Sequence, residues 1–244
     1  MKKGRIHIGT SGWSYKHWKE SFYPPGHPVK EQFSFYSGKF DSVEINNSFY
    51  KLPSKGTFTM WRKSAPEGFV YAVKASRFFT HMKKLILDRQ MIRPIFDHVA
   101  GLRDKLGPIL FQLPPGWKFN PGRLAAVLSI LPKSRRYAME CREHSWYNEQ
   151  TYAILRQHNV AFCIYELEHH LSPMQVTADF VYIRLHGPGD KYQGSYTDKA
   201  LQEWSDRIKK WSRAGKVVFI YFDNDQPGFA AHNAVSLQWL IHSK

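Results

Sequence analysis

Apolar residues in this chain fall in short runs, and the segments between the runs carry them at helical spacing. Eight runs read as strands: IHIGT (6–10), SVEI (42–45), FVYAVK (69–74), PILFQL (108–113), YAME (137–140), VAFCIY (160–165), FVYIRLH (180–186) and VVFIYF (217–222). Four intervening segments read as helices. SKGTFTMWRKSA opens on Ser54, a residue suited to an N-cap. RQMIRPIFDHVAGLRDKLG ends on Gly107, and its Pro94 argues against an unbroken start. PGRLAAVLSIL has Pro121 at its entrance. DKALQEWSDRIKKWSRAG starts at Asp198, stops at Gly215 and repeats Leu201, Trp204, Ile208 and Trp211 along one face.

Strand and helix therefore alternate, which predicts parallel strands joined by crossover helices. Eight such units in 244 residues fit a (β/α)8 barrel, which typically takes about 250 residues. A doubly wound dinucleotide fold loses its main support. GTSGWS has its glycines at the wrong spacing, and no phosphate-loop motif is present. The expected architecture is a single α/β domain over residues 1–244, a TIM-type barrel of eight parallel strands with room for irregularity.

Composition adds limits. With 43% hydrophobic and 16% aromatic residues the chain can bury a sizeable core. No apolar run approaches the ~20 residues of a membrane helix, so no membrane partner is expected. MKKGRIHIGTSGW has no apolar stretch behind its lysines, and Cys141 and Cys163 match no metal-ligand spacing. These features lead us to expect a cytoplasmic protein with two buried thiols. Thirty-five Lys and Arg against 20 Asp and Glu leave a net charge of +15, which favours an anionic small molecule or nucleic acid as partner. Solvated helix faces such as DRIKKWSRAGK account for part of that charge without any partner.

Candidate chemistry lies where the apolar runs end. In a barrel of this kind the C-terminal ends of the strands carry function. All eight runs turn polar at that end, at Thr10–Trp13, Glu44–Asn47, Lys74–His81, Gln112, Glu140–Arg142, Tyr165–Glu166, Arg184–His186 and Asp223–Asp225. The period-two alternation of a strand then points Glu44, Asn46, Lys74, Gln112, Glu140, Arg142, Arg184 and His186 inward, and leaves a choice between Asp223 and Asn224. Buried charges must be paired, so a purely structural network of these residues is the competing reading.

Several of these stretches resemble one known family. IGTSGWSYKHW and FYP (8–24), VEINNSFYKLP (43–53), FVYAVKASRFFTH (69–81), KLGPILFQLPP (105–115), ECREHSW (140–146), TADFVYIRLHGP (177–188) and VVFIYFDND (217–225) are similar, in order, to motifs of the YecE-like family, domain-of-unknown-function family 72. The resemblance spans essentially the whole chain. It implies a TIM-type barrel and carries no established activity. Three positions depart from the family pattern: Glu143 stands where a His is usual, with His144 one residue late; Glu166 replaces an Asp; and Asp223 replaces an Asn.

From the residues, the best functional expectation is an enzyme that binds a phosphate-bearing anion, nucleic acid included, and hydrolyses a phosphoester. Glu44, Glu140 and His186 are the expected acid–base groups. Lys74, Arg142 and Arg184 are the expected phosphate holders. Trp13, Asn46, His81, Gln112 and Asn224 are expected ligand contacts. No cofactor is assigned. A divalent metal on Glu44, Glu140, His186, His81 or Asp225 is chemically allowed but disfavoured, because strand-end histidines are few. Two alternatives differ in class. One is a metal-free sugar-processing hydrolase or lyase using Glu44 and Glu140, with Trp13, Trp18, Tyr50 and Trp146 stacking on sugar. The other is a non-catalytic binder of single-stranded nucleic acid.

Overall fold

The computed structural model describes residues 2–226 and 228–243. Strands are β1 (Ile6–Thr10), β2 (Ser42–Ile45), β3 (Val70–Lys74), β4 (Leu106–Gln112), β5 (Tyr137–Glu140), β6 (Ala161–Leu167), β7 (His170–Leu171), β8 (Phe180–Leu185) and β9 (Val217–Phe222). Helices are α1 (Gln32–Ser37), α2 (Lys55–Ser64), α3 (Arg89–Val99), α4 (Pro121–Ile130), α5 (Glu149–Gln157), α6 (Asp198–Arg213) and α7 (Phe229–His242). The sheet order is β1-β9-β8-β6-β5-β4-β3-β2, and a parallel bridge between Ser11 and Glu44 joins its first and last strands. Each of the eight parallel strands thus neighbours the strand before and after it in sequence, which is the α/β (β/α)8 TIM-type fold.

All eight expected strands are present. Three helices, α1, α5 and α7, and the two-residue β7 lie outside the elements read from the sequence. β7 folds back on β6 in an antiparallel pair, Glu166 opposite Leu171. Among the described residues, the connection from β6 to β8 holds no helix, so one unit of the alternation is irregular. Helix α3 corrects the expectation at Pro94, because it runs unbroken through that residue. Asp88 accepts the Met91 N–H at 2.8 Å and starts the helix, and Ile92, Ile95 and Val99 bury one stripe of it. Pro94 is exposed, as is Gln90, whose carbonyl lacks its usual helical donor on the solvent side. Thr197, rather than Asp198, caps α6, accepting the Ala200 N–H at 3.2 Å.

Two compact units are evident. The first comprises residues 1–44, 164–172 and 180–244. In it β9 pairs on both sides, Ile220 lying opposite Ile8 of β1 and Ile183 of β8. Gly9 is needed for close approach: a Cβ there would lie 2.1 Å from the Ser42 carbonyl oxygen. Leu201, Trp204 and Ile208 of α6 and Ala230, Ala234 and Leu237 of α7 complete this core. Burying a leucine or isoleucine side chain among these is worth about 1.5–3 kcal/mol.

The second unit comprises residues 45–163 and 173–179. Val73, Leu110, Phe111 and Met139 from β3, β4 and β5 are buried, as are Phe58, Ile95, Leu124 and Leu155 from its helices. Tyr71 turns toward the helix layer, and its hydroxyl donates to the Trp61 carbonyl at 2.8 Å. The register places Lys74 opposite Leu110 and Gln112 opposite Glu140. The polar ends of β4 and β5 are therefore level, and Lys74 of β3 lies two residues short of Gln112. Among the described residues, no helix is long and apolar enough to cross a membrane.

Candidate functional site

In the first unit the polar strand ends converge on Glu44. Its carboxylate is fully buried and accepts from the Ser11 hydroxyl at 2.6 Å and the Tyr182 hydroxyl at 2.6 Å. Arg184 donates to it through Nε at 3.0 Å and Nη2 at 2.8 Å, a forked pair of charge-assisted bonds. Nη2 of Arg184 also reaches Asp223 Oδ2 at 3.0 Å. Nη1 lies 3.2 Å from His186 Nε2. A guanidinium has donors only, so Nε2 is the acceptor and the ring proton sits on Nδ1, 3.0 Å from Asp223 Oδ2. His186 is itself fully buried and rests edge-on against Tyr192 at 5.3 Å. Gly187, two residues past the end of β8, has φ 112°, and a Cβ there would meet the Gln193 carbonyl oxygen at 2.1 Å.

Next to this network, Asp225 accepts from the Trp18 indole at 2.6 Å and lies 2.9 Å from His17 Nε2. Burial raises its carboxyl from an ordinary 3.8 to about 6, the nearby Asp223 adds to the rise, and the indole and His17 partly oppose it. Burial and the charges of Asp223, Asp225 and Glu44 push the Tyr15 phenol well above its usual range, so it stays neutral. Its hydroxyl donates to the Ser11 carbonyl. Trp13 is half-buried with its ring edge against Phe33 at 5.3 Å. Asn224 turns away from Asp223. Its Nδ2 donates to the Gly194 carbonyl at 2.9 Å and to Asn233 Oδ1 at 2.8 Å, which ties down the loop after β9.

The second unit gathers a different set. Glu140, fully buried, accepts from Arg142 Nε at 2.6 Å and has the Cys163 thiol 4.0 Å away. Lys74, 8% exposed, holds its ammonium 4.4 Å above the Phe49 ring. His81 sits on a π-helical turn, Phe78–Met82, with its ring edge-on to Phe49 at 5.0 Å and Nδ1 2.9 Å from the Thr80 hydroxyl. Its imidazole is held below its usual basicity, first by burial and then by Lys74, Arg142 and Arg77, with Glu140 opposing. Gln112 donates to the Leu113 carbonyl at 2.9 Å. Asn46 leaves its Oδ1 buried without a hydrogen-bond partner.

The expected site residues thus fall into two groups. Glu44, Arg184 and His186 meet in the first unit, with Trp13 and Asn224 on loops of that unit. Lys74, His81, Gln112, Glu140 and Arg142 lie at neighbouring strand ends of the second, with Asn46 on the turn after β2. Trp18 and Trp146 are fully buried, so neither ring presents a face for stacking on a sugar. Sequence reading left out Tyr182, His17 and Tyr15. Only the inward alternation of β8 pointed to the first, and nothing local marks the other two. Asp223, the choice left open, is the member that joins Arg184 to His186. At the other departures, Glu143 accepts the Ser145 N–H at 3.0 Å and caps a short turn, while His144 is exposed. Burial raises the Glu166 carboxyl, and bonds from Tyr196 and Trp204 oppose that rise. Among the described residues no three His, Cys, Asp or Glu side chains are gathered as a metal centre requires.

This geometry can be set beside known proteins. UPF0759 protein YunF of Bacillus subtilis (strain 168) is 24% identical over 273 residues, covering 97% of this chain and 94% of that protein. The crystal structure of a DUF72 family protein from Thermotoga maritima MSB8 matches with a TM-score of 0.84 at 27% identity, over 98% of this chain and 100% of that one. A DUF72 family protein from Enterococcus faecalis V583 has the same fold at 20% identity, with a TM-score of 0.82 over 98% and 96% of the two chains. The family model described as "Protein of unknown function DUF72" matches residues 7–244, and the chain belongs to that family.

Proposed function

We propose that this protein binds a phosphate-bearing anion at the C-terminal ends of β3 and β5 and hydrolyses its ester bond. One observation carries the reading: Lys74 and His81 share the Phe49 ring, at 4.4 Å and 5.0 Å, and the imidazole is held below its usual basicity first by burial and then by Lys74, Arg142 and Arg77, with the carboxylate of Glu140 opposing. A surplus of cations at and just beyond these strand ends favours an anion, and Arg and Lys suit phosphate oxygens. Glu140 orients Arg142 through the 2.6 Å bond to Nε. His81, neutral at physiological pH, takes a proton from the attacking water as the water oxygen bonds to phosphorus; the bond from phosphorus to the ester oxygen breaks, and the leaving alkoxide takes a proton from solvent.

In this reading Glu44 and His186 position groups rather than transfer protons, since both are sealed from solvent, Glu44 already accepts from Ser11, Tyr182 and Arg184, and His186 accepts from Arg184. Arg184 likewise has its fork on Glu44 and its remaining contacts on Asp223 and His186, so phosphate holding rests on Lys74 and Arg142.

Thermal-shift and phosphorus NMR titrations with inorganic phosphate and simple phosphate monoesters test the proposal. Wild-type protein should bind them, and Arg142→Ala should weaken binding about 10- to 150-fold, the loss of a charge-assisted hydrogen bond. Removing Arg142 leaves Glu140 buried, so Lys74→Met, which keeps the stem over Phe49, serves as a second variant. Equal binding by wild type and both variants, or no binding by wild type, overturns the reading.

A further inference from the structure

Beyond the phosphate cluster, the second unit carries a run of rings and cations that leads from it to the surface. Lys74 lies over the Phe49 ring at 4.4 Å, Phe49 meets His81 at 5.0 Å on one side and Tyr50 at 5.1 Å on the other, and Arg77 stands over Tyr50 at 5.9 Å. Buried Lys74 forms one end, and Tyr50, 73% exposed, forms the other. Lys83 lies over Phe78 at 5.6 Å on the same π-helical turn that carries His81, and the exposed side chains of Met82 and Ile86 follow. Turns of this type occur often at functional sites.

The charge pattern of these loops is one-sided. The loops after β2 and β3, residues 46–54 and 75–87, hold Lys51, Arg77, Lys83 and Lys84 and no carboxylate. An exposed aromatic next to cations, with no acid between them, suits a planar base stacked beside a phosphate, and the length of the stretch suits more than one phosphate. A small phosphate ester would use Lys74 and Arg142 and leave Tyr50, Arg77 and Lys83 idle.

We infer that the occupant is a single-stranded nucleic acid, with one base on Tyr50 and its backbone running from Arg77 toward Lys74. This rests on the phosphate reading above and specifies the substrate class of that site. The test is fluorescence anisotropy of full-length protein with a fluorescein-labelled oligothymidylate of about 12 nucleotides, within the usual span of single-strand sites. Thymidine monophosphate and inorganic phosphate serve as competitors.

Three or four phosphate contacts predict a log–log salt slope of about −2 to −3. Tyr50→Ala should weaken strand binding about 5- to 150-fold, the range for loss of one stacked base, Tyr50→Phe should restore it, and phosphate binding should be unchanged in both. Tyr50 is exposed, so these variants do not disturb the core. If wild type binds phosphate but holds the strand no tighter than the monophosphate, or if Tyr50→Ala binds the strand as wild type does, the inference falls and the phosphate reading stands. If neither phosphate nor strand binds, both fall together.

Discussion

At Glu44, three side chains from distant parts of the sequence bond a single buried carboxylate: Ser11, Tyr182 and Arg184. Burying an ion is costly, and only complete pairing offsets the cost. Removing one member therefore leaves the other charge stranded. Glu44→Ala should destabilise the protein by about 3–5 kcal/mol, read from urea midpoints, with Arg184 left buried and short of its main partner. A loss below about 1 kcal/mol would mean that the pair contributes little. Asp225 makes a prediction about pH. Its carboxyl is raised from 3.8 to about 6, so between those values the folded chain binds more protons than the unfolded one. Its contribution to stability is present in full below pH 3.8 and is lost as pH rises through about 6. Asp225→Asn should flatten that segment of a stability-versus-pH curve measured by urea denaturation, and an unchanged curve would count against the assignment. The sequence placed acids and bases at the strand ends. Whether each one is saturated, like Glu44, or raised and partly accessible, like Asp225, depends on neighbours from other strands.

Elements were legible to the extent that their signals are local. The strand runs appear because period-two or continuous apolar patterns survive any tertiary context. Helix α2 announced itself by its Ser54 cap, where the hydroxyl accepts the Thr57 N–H at 3.1 Å. Helix α7 did not. It begins after Gly228 with no side-chain cap, and FAAHNAVSLQWLIH has apolar residues on most faces, with Val235 and Trp239 exposed. Its contrast between faces is too low to read. Helix α3 shows a local rule overridden: three buried apolar residues and a capping aspartate outweigh one proline. Because Pro94 is exposed and fills no core position, Pro94→Ala should restore the missing donor. We expect a gain of about 1–3 kcal/mol in urea unfolding, with no change in slope. A loss of stability would instead show that the proline fits this helix without strain.

For the whole molecule, alternation and length were enough to predict a TIM-type fold of eight parallel strands, because crossover geometry admits few other solutions. The same reasoning led us to expect function at one end of the strands. It did not reveal that the helix between β6 and β8 would be absent, since a loop of ordinary composition fills that stretch. The net charge of +15 suggested an anionic partner but gave no address for it. In our proposal that address is the end of the second unit where Lys74, Arg77 and Arg142 act on the His81 imidazole and the loops after β2 and β3 add Lys51, Lys83 and Lys84. By itself the sequence determined the strands, the Ser54 cap, the polarity of the strand ends and the family, all of which are written in neighbouring residues. Only the tertiary structure decided which charges meet. Glu44 and Arg184 stand 140 residues apart, and Trp18 and Asp225 stand 207 apart. Electrostatic partnership depends on distance in space, and no pattern along the chain encodes that distance.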